Sequence, residues 1–417
     1  MLFTTYKYSV NQIQHKLTQL YDKFGKDFCL CPFVGAFYQT NGGNANSVRP
    51  CSLVPDREEY KITHSIQQTR NNQHWRNIRQ QFLSGTANTV PDCEVCHAAE
   101  RQGAAPARLG ANQHMAQHTD LDLVAAIERI QFQDLVSHTV AALDYYPSNY
   151  CNYSCVMCSG GASSSRRTFE IRLGRSQDSV PVREADPDFL DLLNTAEIVN
   201  FTGGETVLQP EVHAAIDHLV SSGRASDVTV FILTNASSYK QKFISQLAQF
   251  RNVIFMCSID GVGPVLEYQR RGAQWPVVEQ NILKFLHTAN LSLVMNAVLT
   301  AVNLLNIHEL VNWAEQHKLA PGQLAVTPVF GVDALSVAAV PEQLRDLARA
   351  RLAQCAPGEL VNRIVQILDH TPHQPDLVDH LVEHIYYEDT ASDVKFTDVV
   401  PEWKEYFDNS AFRPTAV

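Results

Sequence analysis

The sequence predicts an α/β protein with a largely parallel sheet, and three observations point there. From about residue 139 to 335, short apolar runs alternate with longer amphipathic segments. Runs such as "VFIL" are apolar without interruption, as strands covered on both faces require. Polar and glycine-rich motifs fall at the ends of those runs, where chemistry gathers in doubly wound sheets and (β/α) barrels alike.

The elements follow in order. "TVAALDYYP" is a strand ending at Pro147, ahead of the stretch "SNYCNYSCVMCSGG". "EIVNFTGG" is the second strand, and the period and closing glycine of "QPEVHAAIDHLVSSG" predict a helix after it. "DVTVFILTN" precedes helical "YKQKFISQLAQF", and "NVIFMCSIDG" precedes "QWPVVEQNILKFLHTA". "LSLVMNAVLT" with "LNIHELVNWAEQHKL" forms a fifth pair, and "GQLAVTPVF" a sixth strand. Such repeats fit an open doubly wound sheet or a partial (β/α) barrel. "SGGASSSRRTFEIRLGRSQDSVPVREADP" reads as a long loop before the helix "DFLDLLNTA". Three regions result. Residues 1–135 are irregular with one helix near "HWRNIRQQFL", residues 136–335 hold the repeats, and residues 336–417 are helical.

Composition narrows the functional classes. The 417 residues are 45% hydrophobic and 18% charged, ordinary for a globular protein with a large core. A formal net charge of -11 without a long Lys/Arg run argues against a general nucleic-acid binder. The amphipathic start does not read as a signal peptide, and no apolar run approaches the ~18 residues of a membrane span. A cytoplasmic location is expected, where stable disulfides are rare. The ten cysteines then need another explanation, and their clustering favours metal binding.

Cys151, Cys155 and Cys158 form a Cys-x3-Cys-x2-Cys loop directly after a strand. Structural zinc prefers four protein ligands. Thiolates also hold iron–sulfur cubes, normally with one cysteine per iron, so three leave one iron open to a small chelator. At this loop the chain resembles the radical S-adenosylmethionine (radical SAM) superfamily, whose hallmark has this spacing after the first barrel strand. Many relatives carry an aromatic residue just before the third cysteine, where Met157 stands here. The resemblance implies a partial (β/α)6 TIM-like barrel, a [4Fe–4S] cluster on the three cysteines, and SAM bound to its open iron.

The same resemblance assigns further residues. "FTGGET" places Gly203, Gly204 and Glu205 at the end of the second strand, like the family's Gly-Gly-Glu motif at the SAM amino group. Glycines there permit close backbone approach. Ser258 and Asp260 lie two apart after the fourth strand and so share a face, near the expected SAM ribose; Asp260 with Gly261 is equally a turn and helix cap. Arg270 or Arg271 resembles a SAM-carboxylate contact, with a surface arginine pair as the alternative. Thr234 and Asn235 face the same mouth as SAM or substrate contacts, or as caps. Cys257 reads as a buried small hydrophobe and Cys355 as structural.

"FCLCPFVGAFYQTNGGNANSVRPC" and "DCEVCHAAERQG" bring Cys29, Cys31, Cys51, Cys93 and Cys96. Their pattern resembles the SPASM/twitch auxiliary-cluster domains, which follow the barrel in familiar members but precede it here. The resemblance implies an auxiliary [4Fe–4S] cluster on Cys31, Cys51, Cys93 and Cys96, with Cys29 as the spare. Four thiolates with one Cys-x2-Cys are also a zinc pattern, and His97 reads as a solvated neighbour.

The function implied is reductive cleavage of SAM to a 5′-deoxyadenosyl radical that takes hydrogen from a peptide or protein substrate. Radical modification of a sugar, amino acid or nucleotide derivative is the alternative within that class. A non-catalytic iron–sulfur electron-transfer protein and a zinc-stabilised binding protein are alternatives outside it. An electron donor such as flavodoxin or ferredoxin is the expected partner.

Overall fold

The computed structural model describes residues 8–40, 46–101, 105–175, 188–329, 331–390 and 392–410. Among them lie ten strands: β1 (Gly35–Gln39), β2 (Ser47–Arg49), β3 (Ala142–Tyr146), β4 (Ser154–Cys155), β5 (Ile198–Phe201), β6 (Thr229–Thr234), β7 (Asn252–Ser258), β8 (Arg270–Arg271), β9 (Leu291–Leu299) and β10 (Leu324–Pro328). Eight form one sheet in the order β10-β9-β7-β6-β5-β3-β1-β2, and β4 pairs with β8 apart from it. Every neighbouring pair in the large sheet is parallel except β1 with β2. The fold is mixed α/β with a dominantly parallel sheet, as the uninterrupted apolar runs predict.

One face of these runs packs under helices. Leu143, Tyr145, Val199, Phe201, Val230 and Ile232 are all buried there, each contributing roughly 2 kcal/mol by leaving water. The helix Pro210–Ser221 shows the local logic: proline opens it, and Val212, Ala215, Ile216 and Leu219 bury one stripe. The opposite, inner face of the sheet is more polar and carries the sites described below.

Three features depart from the sequence expectations. First, the region before residue 135 is not irregular with one helix. It holds the helices Val10–Phe24, Gln73–Leu83, Ala107–His118 and Leu123–Phe132. Ser9 and Gln12 form a capping box at the first of these. Second, β1 joins the sheet beside β3, from Gly35 against Ala142 to Gln39 against Tyr146. Third, the stretch taken for a long loop contains the helix Ser164–Arg172. Its hydroxyl-rich start is a cap, with the Ser163 side chain accepting from the Arg166 N–H. Residues 176–187 of that stretch lie outside the described residues.

Helices Glu342–Leu352, Glu359–His370 and Asp376–Thr390 follow the last strand. Among the described residues, no helix is long and apolar enough to cross a membrane.

Candidate active site

The three-cysteine loop leaves the C-terminal end of β3 and is fixed by an antiparallel pairing. Ser154 and Cys155 in β4 lie opposite Arg271 and Arg270 in β8. Neighbouring strand residues point to opposite sides, so the two arginines part. Arg270 turns to the cysteines, its Nη1 donating toward Cys155 Sγ at 4.0 Å and its Nε ion-paired with Asp260 at 2.7 Å. Arg271 is not brought to the cysteines. It meets Glu388 of the helix Asp376–Thr390 at 3.1 Å and lies over the Phe169 ring.

Burial pushes all three thiols above their ordinary range, Cys155 to about 12, while Arg270 pulls each of them down. Buried thiols beside a fixed guanidinium suit a ligand set whose protons leave when metal binds. Met157 is half-buried and packs against the core between the second and third cysteines.

Three serines that the sequence reading passed over hold the loop. Ser163 Oγ donates to the Tyr153 carbonyl at 2.6 Å, and Ser165 Oγ to the Cys151 carbonyl at 2.7 Å. Ser164 Oγ accepts from the Cys151 N–H at 3.1 Å. Their run in "GASSSRR" was the available signal, because hydroxyls at a helix start are capping groups.

The glycine pair after β5 lies against the cysteine loop. A Cβ on Gly204 would stand 2.2 Å from the Tyr150 carbonyl oxygen, and one on Gly203 would stand 2.6 Å from that of Ser148. Gly203 also has φ of 114°, a left-handed conformation that favours glycine. The close approach is therefore made by the cysteine loop, whose Ser148 and Tyr150 carbonyls accept from the N–H groups of Gly204 and Glu205 at 3.0 and 2.7 Å.

The Glu205 carboxylate is fully buried and already partnered. It accepts from Thr234 Oγ1 at 2.6 Å and from the Asn235 N–H at 2.7 Å. Burial raises its pKa to about 7 against these bonds. Thr234 thus serves the glutamate. Asn235 reaches further, donating from Nδ2 to Asn152 Oδ1 at 3.0 Å and toward Cys151 Sγ at 4.0 Å. Asp260 is fully buried and accepts from the Val298 N–H at 2.8 Å besides pairing with Arg270. Ser258 is half-buried at the end of β7, level with Asn296 of β9.

The amino-terminal cysteines converge elsewhere. Cys29, Cys31, Cys51, Cys93 and Cys96 all line one cavity of about 430 Å³. Cys31 starts the short helix Cys31–Val34 leading into β1, and Cys51 follows β2, so this cavity opens near the N-terminal ends of β1 and β3. A hydrogen bond from Cys31 lowers the pKa of Cys29, whereas burial pushes Cys51 up to about 12. His97, Glu100 and Arg108 also line it, with Arg108 paired to Glu100 and, at 3.3 Å, to Asp27. Among the described residues, no three His, Cys, Asp or Glu side chains close on a single metal-ion position. Cys257 is fully buried within β7, and Cys355 is buried against the His308 carbonyl.

Residues 145–314 match the family model described as the Radical SAM superfamily. No curated protein matches the chain. Similar solved structures include anSMEcpe with bound AdoMet, 15% identical over 46% of this chain and 52% of that one, with a TM-score of 0.36. Streptococcus suis SuiB bound to precursor peptide SuiA is 15% identical over 76% of this chain and 70% of that one, at 0.37. SuiB bound to S-adenosylmethionine is 14% identical over 72% and 65%, at 0.35. The chain spans about half the length of the first of these structures. The strand end, the cysteine loop and the buried acids described above thus all lie within the segment, Tyr145 to Ala314, that matches the Radical SAM superfamily model.

Proposed function

We propose that this protein is a radical SAM enzyme that modifies a peptide or protein substrate, using one [4Fe–4S] cluster on Cys151, Cys155 and Cys158 and an auxiliary one on Cys31, Cys51, Cys93 and Cys96. The observation that carries the first part is the three thiols held by the β4–β8 pairing beside Arg270, inside the matched segment. When bound, that cluster and SAM supply one-electron cleavage of the sulfonium and, through it, hydrogen abstraction from an unactivated carbon.

The chain's own residues do the positioning. Arg270, fixed by Asp260, sets a positive charge against the thiolates and favours their ionised form. The serine trio and the two glycines clamp the loop from both sides. Asn235 and Ser258 stand at the C-terminal strand ends, where a bound ligand's polar groups meet them.

Five thiols around one cavity support the auxiliary site, because the cysteines of a cluster bind separate irons rather than one ion. Cys29 is the neighbouring thiol, able to replace Cys31. The peptide class rests on the resemblance to auxiliary-cluster enzymes, and a small-molecule substrate is the second reading. Flavodoxin or ferredoxin supplies the electron in this scheme.

The test is iron, zinc and sulfide content after anaerobic reconstitution, with SAM cleavage under strong reductant. Two clusters give about eight irons per chain, falling to about four when Cys151, Cys155 and Cys158 become alanine. Iron that does not fall in that variant, or wild type that leaves SAM intact, overturns the proposal. About four irons with one zinc would instead make the amino-terminal site structural.

A further inference from the structure

Between the two groups of cysteines, the inner face of the sheet carries four side chains at one level. Phe37 of β1, Asp144 of β3, Asn200 of β5 and Phe231 of β6 are register partners across successive strands. Asp144 and Asn200 line the amino-terminal cysteine cavity and also an adjoining hollow of about 310 Å³ that reaches Leu233 and Met256. Ser52 and His114 border both spaces too, so the two adjoin along a shared wall. Their sizes fall within the ~300–1,000 Å³ of small-ligand pockets.

Two of the polar groups facing this space, Asp144 and His114, are acceptors with capacity left over. Asp144 accepts from Asn200 Nδ2 and has no other hydrogen-bond partner among the described residues. It is enclosed by protein yet only half-buried, because its surface opens to the cavity. His114 Nε2 is buried with no partner, and Asn200 lines the same two spaces as the ring. Burial pushes the His114 pKa down to about 4, so near pH 7 the imidazole is neutral and that nitrogen offers a lone pair. The rings of Phe37 and Phe231 flank the pair in the row; Arg49 stands over the Phe37 ring at 4.7 Å, and Phe231 packs against His114.

A buried carboxylate and a free imidazole lone pair between aromatic rings call for a group rich in N–H donors and positive charge. Resting on the function proposed above, we infer that Asp144, aided by His114, anchors a lysine or arginine side chain of the substrate. That cation would offset the desolvation of Asp144 and hold the substrate between the cysteine loop at one end of β3 and the amino-terminal thiols at the other.

Calorimetry on the reconstituted protein tests this with two probes, Nα-acetyl-lysine N-methylamide and its uncharged norleucine analogue. The lysine probe is expected to bind at least about tenfold tighter. Asp144→Asn should erase that preference, and Asp144→Glu should keep it. Equal affinity for the two probes, no binding of either, or a preference that survives Asp144→Asn overturns the inference. The two wild-type measurements decide even if a variant fails to fold. Binding is read without reductant, so failure to cleave SAM would count against the proposed function and leave this result standing.

Discussion

Arg270 Nε lies 2.7 Å from Asp260 Oδ2, a carboxylate with no exposure to solvent, and the same guanidinium favours the thiolate forms of Cys151, Cys155 and Cys158. Burial alone would lower the Arg270 pKa, and Asp260 with Cys155 more than restores it. The pair therefore couples the end of β7 to the cysteine loop. Asp260→Asn leaves a buried guanidinium short of its counter-charge, at a cost of about 3–5 kcal/mol. Urea unfolding of the metal-free protein measures it, and a loss below 1 kcal/mol would show that the pair is dispensable.

Glu388 ties the carboxy-terminal helices to the same loop. Arg166 donates to its two oxygens at 2.9 and 2.6 Å, and Arg271 stands 3.1 Å away. The Arg166 and Glu388 side chains are 4% and 0% exposed, so solvent screens little of this interaction. Glu388→Ala should destabilise by about 3–5 kcal/mol, more than Arg166→Ala, because it removes the nearest counter-charge of two arginines, whereas Arg166→Ala leaves Glu388 paired with Arg271. Denaturation of the two variants gives the comparison, and the reverse order would contradict it.

Gly204→Ala forces a methyl carbon to within 2.2 Å of the Tyr150 carbonyl oxygen unless the cysteine loop moves. The strain should cost about 1–3 kcal/mol and displace Cys151, the next residue. Iron bound by the loop cysteines should fall by more than half while the amino-terminal site loads normally. Full loading of both sites would show that the loop yields.

Glu205 predicts a pH dependence of definite sign. Its carboxyl titrates at about 7 in the fold against a reference of 4.5, raised by burial. The folded state thus holds a proton that the unfolded chain has lost, and stability falls as pH rises from 4.5 to 7. That shift corresponds to about 3 kcal/mol. Stability of the metal-free protein at several pH values should show this decline, and Glu205→Gln should flatten it. An unchanged slope in the variant would assign the effect to other groups.

Much of this was legible in the chain. The strands from β3 to β10 announce themselves by apolar runs, and the cysteine spacing marks the loop. What escaped depends on distant partners. The helix Ser164–Arg172 carries little apolar periodicity, and its Arg166 is secured by Glu388, 222 residues away. β1 lies among cysteines and glycines that suggest irregular chain, and only its register against β3 makes it a strand. The sequence left Arg270 and Arg271 as equals, and the alternation of β8 separates them. The glycines of "FTGGET" signal close approach correctly, but only the fold reveals that the visitor is Tyr150 of the cysteine loop.

The parallel pairing of Gly35–Gln39 with Ala142–Tyr146 has a consequence for biosynthesis. The walls around the five amino-terminal thiols include Ala142, Asp144 and Asn200. During translation, those cysteines emerge first but have no finished chamber until the chain through residue 200 has been made and the sheet has closed over them. A cluster of the kind proposed for that site would therefore load only after the domain it adjoins had folded, with the earliest thiols unsheltered until then.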